Sequence, residues 1–336
     1  MSTLKLGDVP FSVLDLSPIL EGGTPAESFR NTLDLARHAE RLGYHRYWLA
    51  EHHNMPGIGS SATSVLIGYV AAGTSTIRVG SGGIMLPNHA PLVIAEQFGT
   101  LESLYPGRID LGLGRAPGTD QMTMFALRRN NWNDDDRFPE LLDELRGYFH
   151  PDETNKRVRA FPGEGLNIPI WLLGSSGFSA RLAAELGLPF SFASHFAPEN
   201  TLGALDIYRR HFQPSDVLDE PYAMLGVNII AADTDDEAER LSTSMLLQFL
   251  NLIRNNPMPL QPPVDSMEGM CTELEKAAIE QRTNASIIGG PGKVKQQLLQ
   301  FIERTKADEI IVNAQIYDHQ ARLRSYEVVA EIVKHS

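Results

Sequence analysis

Residues 109–115 read Ile109-Asp110-Leu111-Gly112-Leu113-Gly114-Arg115. The run is short, nearly all apolar, and ends at glycine and a charge. It fits a strand covered on both faces rather than one with a wet side. Ile170-Trp171-Leu172-Leu173 repeats the pattern. Working outward from these two, eight strand-like runs span the chain: 11–16, 45–50, 77–86, 109–114, 169–174, 189–193, 222–232 and 309–314. Amphipathic stretches alternate with them. Residues 28–42 place Leu33, Leu35, Ala36, Ala39 and Leu42 at helical spacing, and 293–305 do the same with Val294, Leu298, Leu299 and Ile302. Strand–helix alternation implies parallel βαβ units with right-handed crossovers. Eight units favour closure into a (β/α)8 TIM barrel over an open sheet, as one domain over 1–336.

Two regions break the rhythm. Residues 115–165 are polar and contain Asn130-Asn131-Trp132-Asn133-Asp134-Asp135-Asp136; residues 253–285 contain Asn255-Asn256-Pro257 and Pro262-Pro263. These are expected as long insertions after the fourth and seventh strands, the kind of segment that forms lids or binding loops.

The formal net charge of −13 argues against nucleic acid or an anionic membrane as partner, both of which need a basic footprint. A local basic pocket remains compatible with it. The single cysteine, Cys271, excludes an internal disulfide and suits a reducing compartment. There is no signal-peptide pattern at the start, and no apolar run reaches the ~18 residues of a membrane span. A cytoplasmic enzyme is expected.

Barrel active sites lie where the strands end. After the second run comes Glu51-His52-His53-Asn54, which brings a base or hydrogen-bond donor there. Adjacent histidines diverge and no His-Glu-x-x-His helix is present, so no metal site is expected. The third run holds Gly80-Ser81-Gly82-Gly83. Glycines inside a strand mark a bulge or a close approach to the backbone, by a flat ligand or by a packed helix. The fourth run leads into Gly112-Leu113-Gly114-Arg115-Ala116-Pro117-Gly118, which is not a dinucleotide fingerprint because Pro117 interrupts the helix start. Arg115 suits a phosphate, or a salt bridge closing the loop. Gly174-Ser175-Ser176 precedes a helical stretch and offers an anion site at a helix N-terminus, or simple serine capping. His195 after the sixth run and Asn313 and Gln315 after the eighth could line a pocket.

Tyr47-Trp48-Leu49-Ala50-Glu51-His52-His53, the stretch GSGGIMLPNHAP at 80–91, Glu96-Gln97 and 105–115 together resemble the bacterial luciferase-like, flavin-dependent monooxygenases. The resemblance covers nearly the whole chain and implies a set of roles. His52 is the catalytic histidine. Gly82-Gly83, beside Ser81, carries a non-proline cis peptide beneath the flavin ring. Arg115, Gly174, Ser175 and Ser176 hold the flavin phosphate, and 253–285 is a mobile substrate loop. The implied chemistry is oxygenation of a small organic substrate by O2 and reduced FMN from a separate NAD(P)H:flavin reductase. Two alternatives remain: hydride transfer with the deazaflavin F420, and a flavin-binding protein without turnover. The family also implies a homodimer through helices 2 and 3, and residues 60–72 are rich enough in small residues to allow one. Gly174, Phe178 and Gly114 depart from the luciferases' acidic residue, threonine and reactive cysteine, so neither long-chain aldehyde nor light emission is expected.

Overall fold

The computed structural model describes residues 5–116, 120–128, 137–150 and 158–336. Its strands are β1 (Phe11–Asp15), β2 (Arg46–Leu49), β3 (Arg78–Met85), β4 (Ile109–Gly114), β5 (Ile170–Gly174), β6 (Phe190–Phe192), β7 (Ala223–Ala231), β8 (Ile287–Gly289) and β9 (Glu309–Asn313). All pairings are parallel. The eight expected runs are β1–β7 and β9, and the sheet closes because β6 pairs with β7, β7 with β9, and β9 with β1. The fold is a (β/α)8 barrel. The three residues of β8 were not expected. They pair with Ile229–Ala231 at the far end of β7, beyond Asn228, where β9 leaves it.

The helices are α1 (Pro25–Leu42), α2 (Thr63–Ala72), α3 (Pro91–Leu104), α4 (Gln121–Arg128), α5 (Phe138–Phe149), α6 (Gly177–Glu185), α7 (Thr201–His211), α8 (Asp235–Ile253), α9 (Glu273–Thr283), α10 (Pro291–Thr305) and α11 (His319–Lys334). Local signals set their limits. At α1, Thr24 and Glu27 form a capping box, Pro25 opens the helix, and Gly43 ends it with a φ of 87°.

Strand alternation sorts the core into two bodies. Val13, Tyr47, Leu49, Leu172, Leu225 and Val312 face outward under the helices. Leu14, Trp48, Trp171, Met224 and Ile311 face inward and fill the barrel. Beneath this inner layer lies a buried ionic one. Arg46 bonds Asp110 through Nη1 (2.7 Å) and Glu309 through Nε (2.9 Å), and Arg78 Nη2 reaches Asp110 at 2.6 Å. Trp48 Nε1 and the Tyr222 hydroxyl donate to Asp110 and Glu309 respectively. The charge that interrupted the apolar 109–114 run is thereby neutralised inside the barrel.

Both insertions are only partly loop. In 115–165, α5 buries Phe138, Leu142, Leu145 and Phe149 as an ordinary barrel helix, while the Asn130–Asp136 tract lies outside the described residues. In 253–285, α9 begins with a Thr272–Glu275 capping box. Leu260 exchanges backbone hydrogen bonds with Ile19 and Glu21, so this segment crosses over the end of β1.

Removing one partner of a buried ion network leaves uncompensated charge. Arg46→Met is expected to lower the unfolding free energy by about 3–5 kcal/mol in a urea titration. Arg181→Ala, which breaks an exposed helix pair with Glu185, should change it by less than about 1 kcal/mol.

Candidate active site

The C-terminal ends of the strands surround a cavity of about 360 Å3, within the usual range for a small-molecule site. Leu14, Trp48 and the Gly82-Gly83 pair line its inner end. The peptide between the two glycines is cis. The β3–β4 register shifts between Ser81 and Ile84, so the glycine cluster does mark an irregularity. A methyl on Gly82 would lie 2.8 Å from Leu14 Cδ1, and one on Gly83 2.7 Å from the Gly112 carbonyl. Close packing within the barrel thus already demands both glycines, and the same bare backbone faces the cavity.

Ser81 takes a different position from its two neighbours. It is fully buried, and its hydroxyl donates to the Gly112 carbonyl (2.8 Å) while accepting from the Gly112 amide (3.0 Å). It stitches β3 to β4 and does not line the cavity. Ser81 is among the residues expected at the cofactor; its hydroxyl is engaged within the sheet, and alternation turns it away from Gly82.

The Glu51-His52-His53 cluster divides its labour. Glu51 is buried and accepts from Nε2 of His53 (2.8 Å), Nε2 of His89 (2.9 Å), Nδ2 of Asn88 (3.2 Å) and the Met85 amide (3.0 Å). Burial alone would raise its pKa, but the hydrogen bonds from His53, His89 and Met85 outweigh it and hold the carboxyl at about 2. The ionised carboxylate ties the loop after β2 to the loop after β3. His52 instead faces the cavity, with its Nδ1 buried and unpartnered. Opposite, His195 presses against Gly226, and its Nδ1 is also unpartnered. Burial lowers both imidazole pKa values, that of His195 to about 4. Both rings are therefore neutral at pH 7.

A third group of residues gathers at the other end of the cavity. Arg115, Gly174, Ser175 and Ser176 all line it. The Arg115 guanidinium sits 4.3 Å over the Phe178 ring, and among the described residues no carboxylate pairs with it. Among the described residues, then, no salt bridge closes the loop. Ser176 occupies the N-cap of α6, yet its side chain makes no capping bond. Simple capping does not explain it, and both the hydroxyl and the first amides of α6 remain available to an anion.

The wall between β7 and β9 was not legible beforehand. It is built by α8 through Met245, Gln248, Phe249 and Leu252, while no residue of 253–285 lines the cavity. The spacing of these four is that of one helical face, a signal indistinguishable in sequence from ordinary core packing.

The model of the family described as luciferase-like monooxygenase matches residues 9–309. The chain is similar to a luciferase-like monooxygenase of Escherichia coli (strain K12), 56% identical over 96% of this chain and 97% of that one. It is 34% identical to N-acetyl-S-alkylcysteine monooxygenase of Bacillus subtilis (strain 168), over 97% of this chain and 98% of that one. The crystal structure of apo-MsnO8 superposes with a TM-score of 0.87 at 35% identity, covering 98% of this chain and 99% of that one. Matched along nearly its whole length in sequence and in fold, the chain belongs to the luciferase-like monooxygenase family.

Proposed function

We propose that the protein is a flavin-dependent monooxygenase that takes reduced FMN from a separate NAD(P)H:flavin reductase and oxygenates a small organic substrate. The observation that carries the reading is one cavity with two differently built ends, in a chain of this family. The inner end offers the Gly82-Gly83 backbone as a flat, side-chain-free surface. The other end offers the Arg115 cation, the Ser175 and Ser176 hydroxyls and the amides of α6. A planar ring on the first and a phosphate on the second fit these donors. Bound reduced FMN supplies two electrons to O2, so that one oxygen atom enters the substrate and the other leaves as water.

The chain's own residues do the rest. His52 lines the cavity as a buried, neutral ring and serves as hydrogen-bond donor or proton acceptor beside the reacting centre. Glu51 keeps that ring in place by pinning the loops on either side. The apolar walls exclude water from the reaction. The exposed side chains of Val65 and Tyr69 on α2 and Val93 and Leu104 on α3 form an apolar face suited to a second copy of the chain.

Four outcomes are expected. With 18O2 and a reductase supplying reduced FMN, one labelled atom should enter a thioether as its sulfoxide; unlabelled product, or oxidation only with F420, would overturn the reading. Anaerobic titration should show Arg115→Ala weakening FMN binding about 10- to 100-fold, from loss of a charge-assisted contact, while riboflavin, lacking the phosphate, binds both proteins alike. Light scattering should give a species of twice the chain mass that Tyr69→Asp dissociates. Finally, a buried neutral histidine takes up its proton later than the unfolded chain does. Stability is therefore full above pH 6.5 and falls as pH drops from 6.5 towards 4, by on the order of 3 kcal/mol for His195. His195→Gln should flatten that part of the stability–pH curve.

A further inference from the structure

The cavity carries more than a flavin needs. The lining also takes in the α8 stripe of Met245, Gln248, Phe249 and Leu252, none of which is charged. Apart from serines, the other uncharged polar side chains of the lining are amides and imidazoles, namely Asn228, Asn313, Gln315, His52 and His195. Among the described residues, Arg115 is the one charged side chain of the whole lining, and it belongs with the serines at the phosphate end. Three buried polar atoms in this space lack partners: Nδ1 of His52, Nδ1 of His195 and Oε1 of Gln315. None of the three supplies a fixed charge that would neutralise an ionic ligand.

We propose that the substrate is a small, uncharged and largely apolar molecule with one hydrogen-bonding group, and that the α8 stripe, with Gln248 as its polar member, selects it. The inference rests on the flavin reading above, because Arg115 is free for a substrate only if no phosphate occupies it. The physical reason is the cost of bringing an ion into a space where, among the described residues, only Arg115 at the phosphate end carries a charge. A buried carboxylate there would lose its hydration with nothing to replace it. A matched ester loses little, and its carbonyl can accept from the Gln248 amide. The neighbouring cation, Arg282 of α9, lies outside the lining, 5.8 Å from the Phe196 ring at the rim. A short ligand lodged against α8 does not meet it.

The test uses the protein–FMN complex and two aryl methyl thioethers, 4-(methylthio)benzoate and its methyl ester, titrated by calorimetry at pH 7.5. The ester should bind at least tenfold tighter than the carboxylate. Gln248→Leu should weaken the ester by about 2- to 12-fold, the loss of one neutral hydrogen bond. Gln248→Arg should raise carboxylate affinity at least tenfold while FMN affinity stays the same. Equal affinities, tighter binding of the carboxylate, or binding of neither compound would overturn the inference, as would carboxylate binding that Arg282→Ala abolishes. FMN is titrated first. If FMN fails to bind, the flavin reading falls and this inference with it; if FMN binds, the comparison of the two thioethers judges the substrate claim alone.

Discussion

Arg46 sits inside the barrel between Asp110 and Glu309, and the site above depends on that arrangement. Three strands that are not neighbours, β2, β4 and β9, are tied across the interior by one guanidinium. Its outward side stacks on Trp171, with the guanidinium carbon 4.7 Å from the ring. Trp48 packs edge-on to Trp171 and donates to Asp110. The ionic layer thus orients the aromatic layer, and the aromatic layer forms the inner end of the cavity. Gly82 needs the space beside Trp48 and Leu14 that this packing leaves. A shift at the bottom of the barrel would be felt at the glycine pair through rigid contacts rather than through a flexible loop.

The end of β2 shows how alternation divides structure from chemistry. Tyr47 and Leu49 face the helices, and Trp48 fills the barrel. Past the strand end, Glu51 turns to its four donors while His52 enters the cavity. One residue of the pair holds the loops together, and the next keeps an unpartnered ring nitrogen. Two buried imidazole nitrogens without partners and a serine N-cap that does not cap are costly unless something else uses them. They are the features from which a ligand site is argued, and all of them lie around the same cavity.

Much of this was legible in the sequence, for identifiable reasons. The barrel strands are nearly continuous apolar runs, and those runs carry their own signal. Gly82-Gly83 stood out because glycine has so few reasons to occur twice in a strand. Other features were hidden. Ser81 shares the glycine motif but points the other way, a consequence of strand alternation that a motif does not display. The α8 wall reads as an amphipathic helix like any other, and only the extension of β7 towards β8 brings it over the cavity. The segment 253–285 looked like the substrate wall because it is long and rich in proline, yet its backbone is engaged with residues 19–21. Arg115 and Ser176, candidates from the sequence, each also had an ordinary structural explanation; Ser176 makes no capping bond, and among the described residues no carboxylate pairs with Arg115.

On the reading proposed above, one cavity holds a flavin ring over Gly82-Gly83 with its phosphate between Arg115 and the start of α6. A crystal structure of the protein with FMN measures this most directly. The ring should contact the Gly82-Gly83 backbone within hydrogen-bond reach of His52, and the phosphate should meet Arg115, Ser175 and Ser176. Flavin bound elsewhere, or bound here with its phosphate pointing away from Arg115, would contradict it.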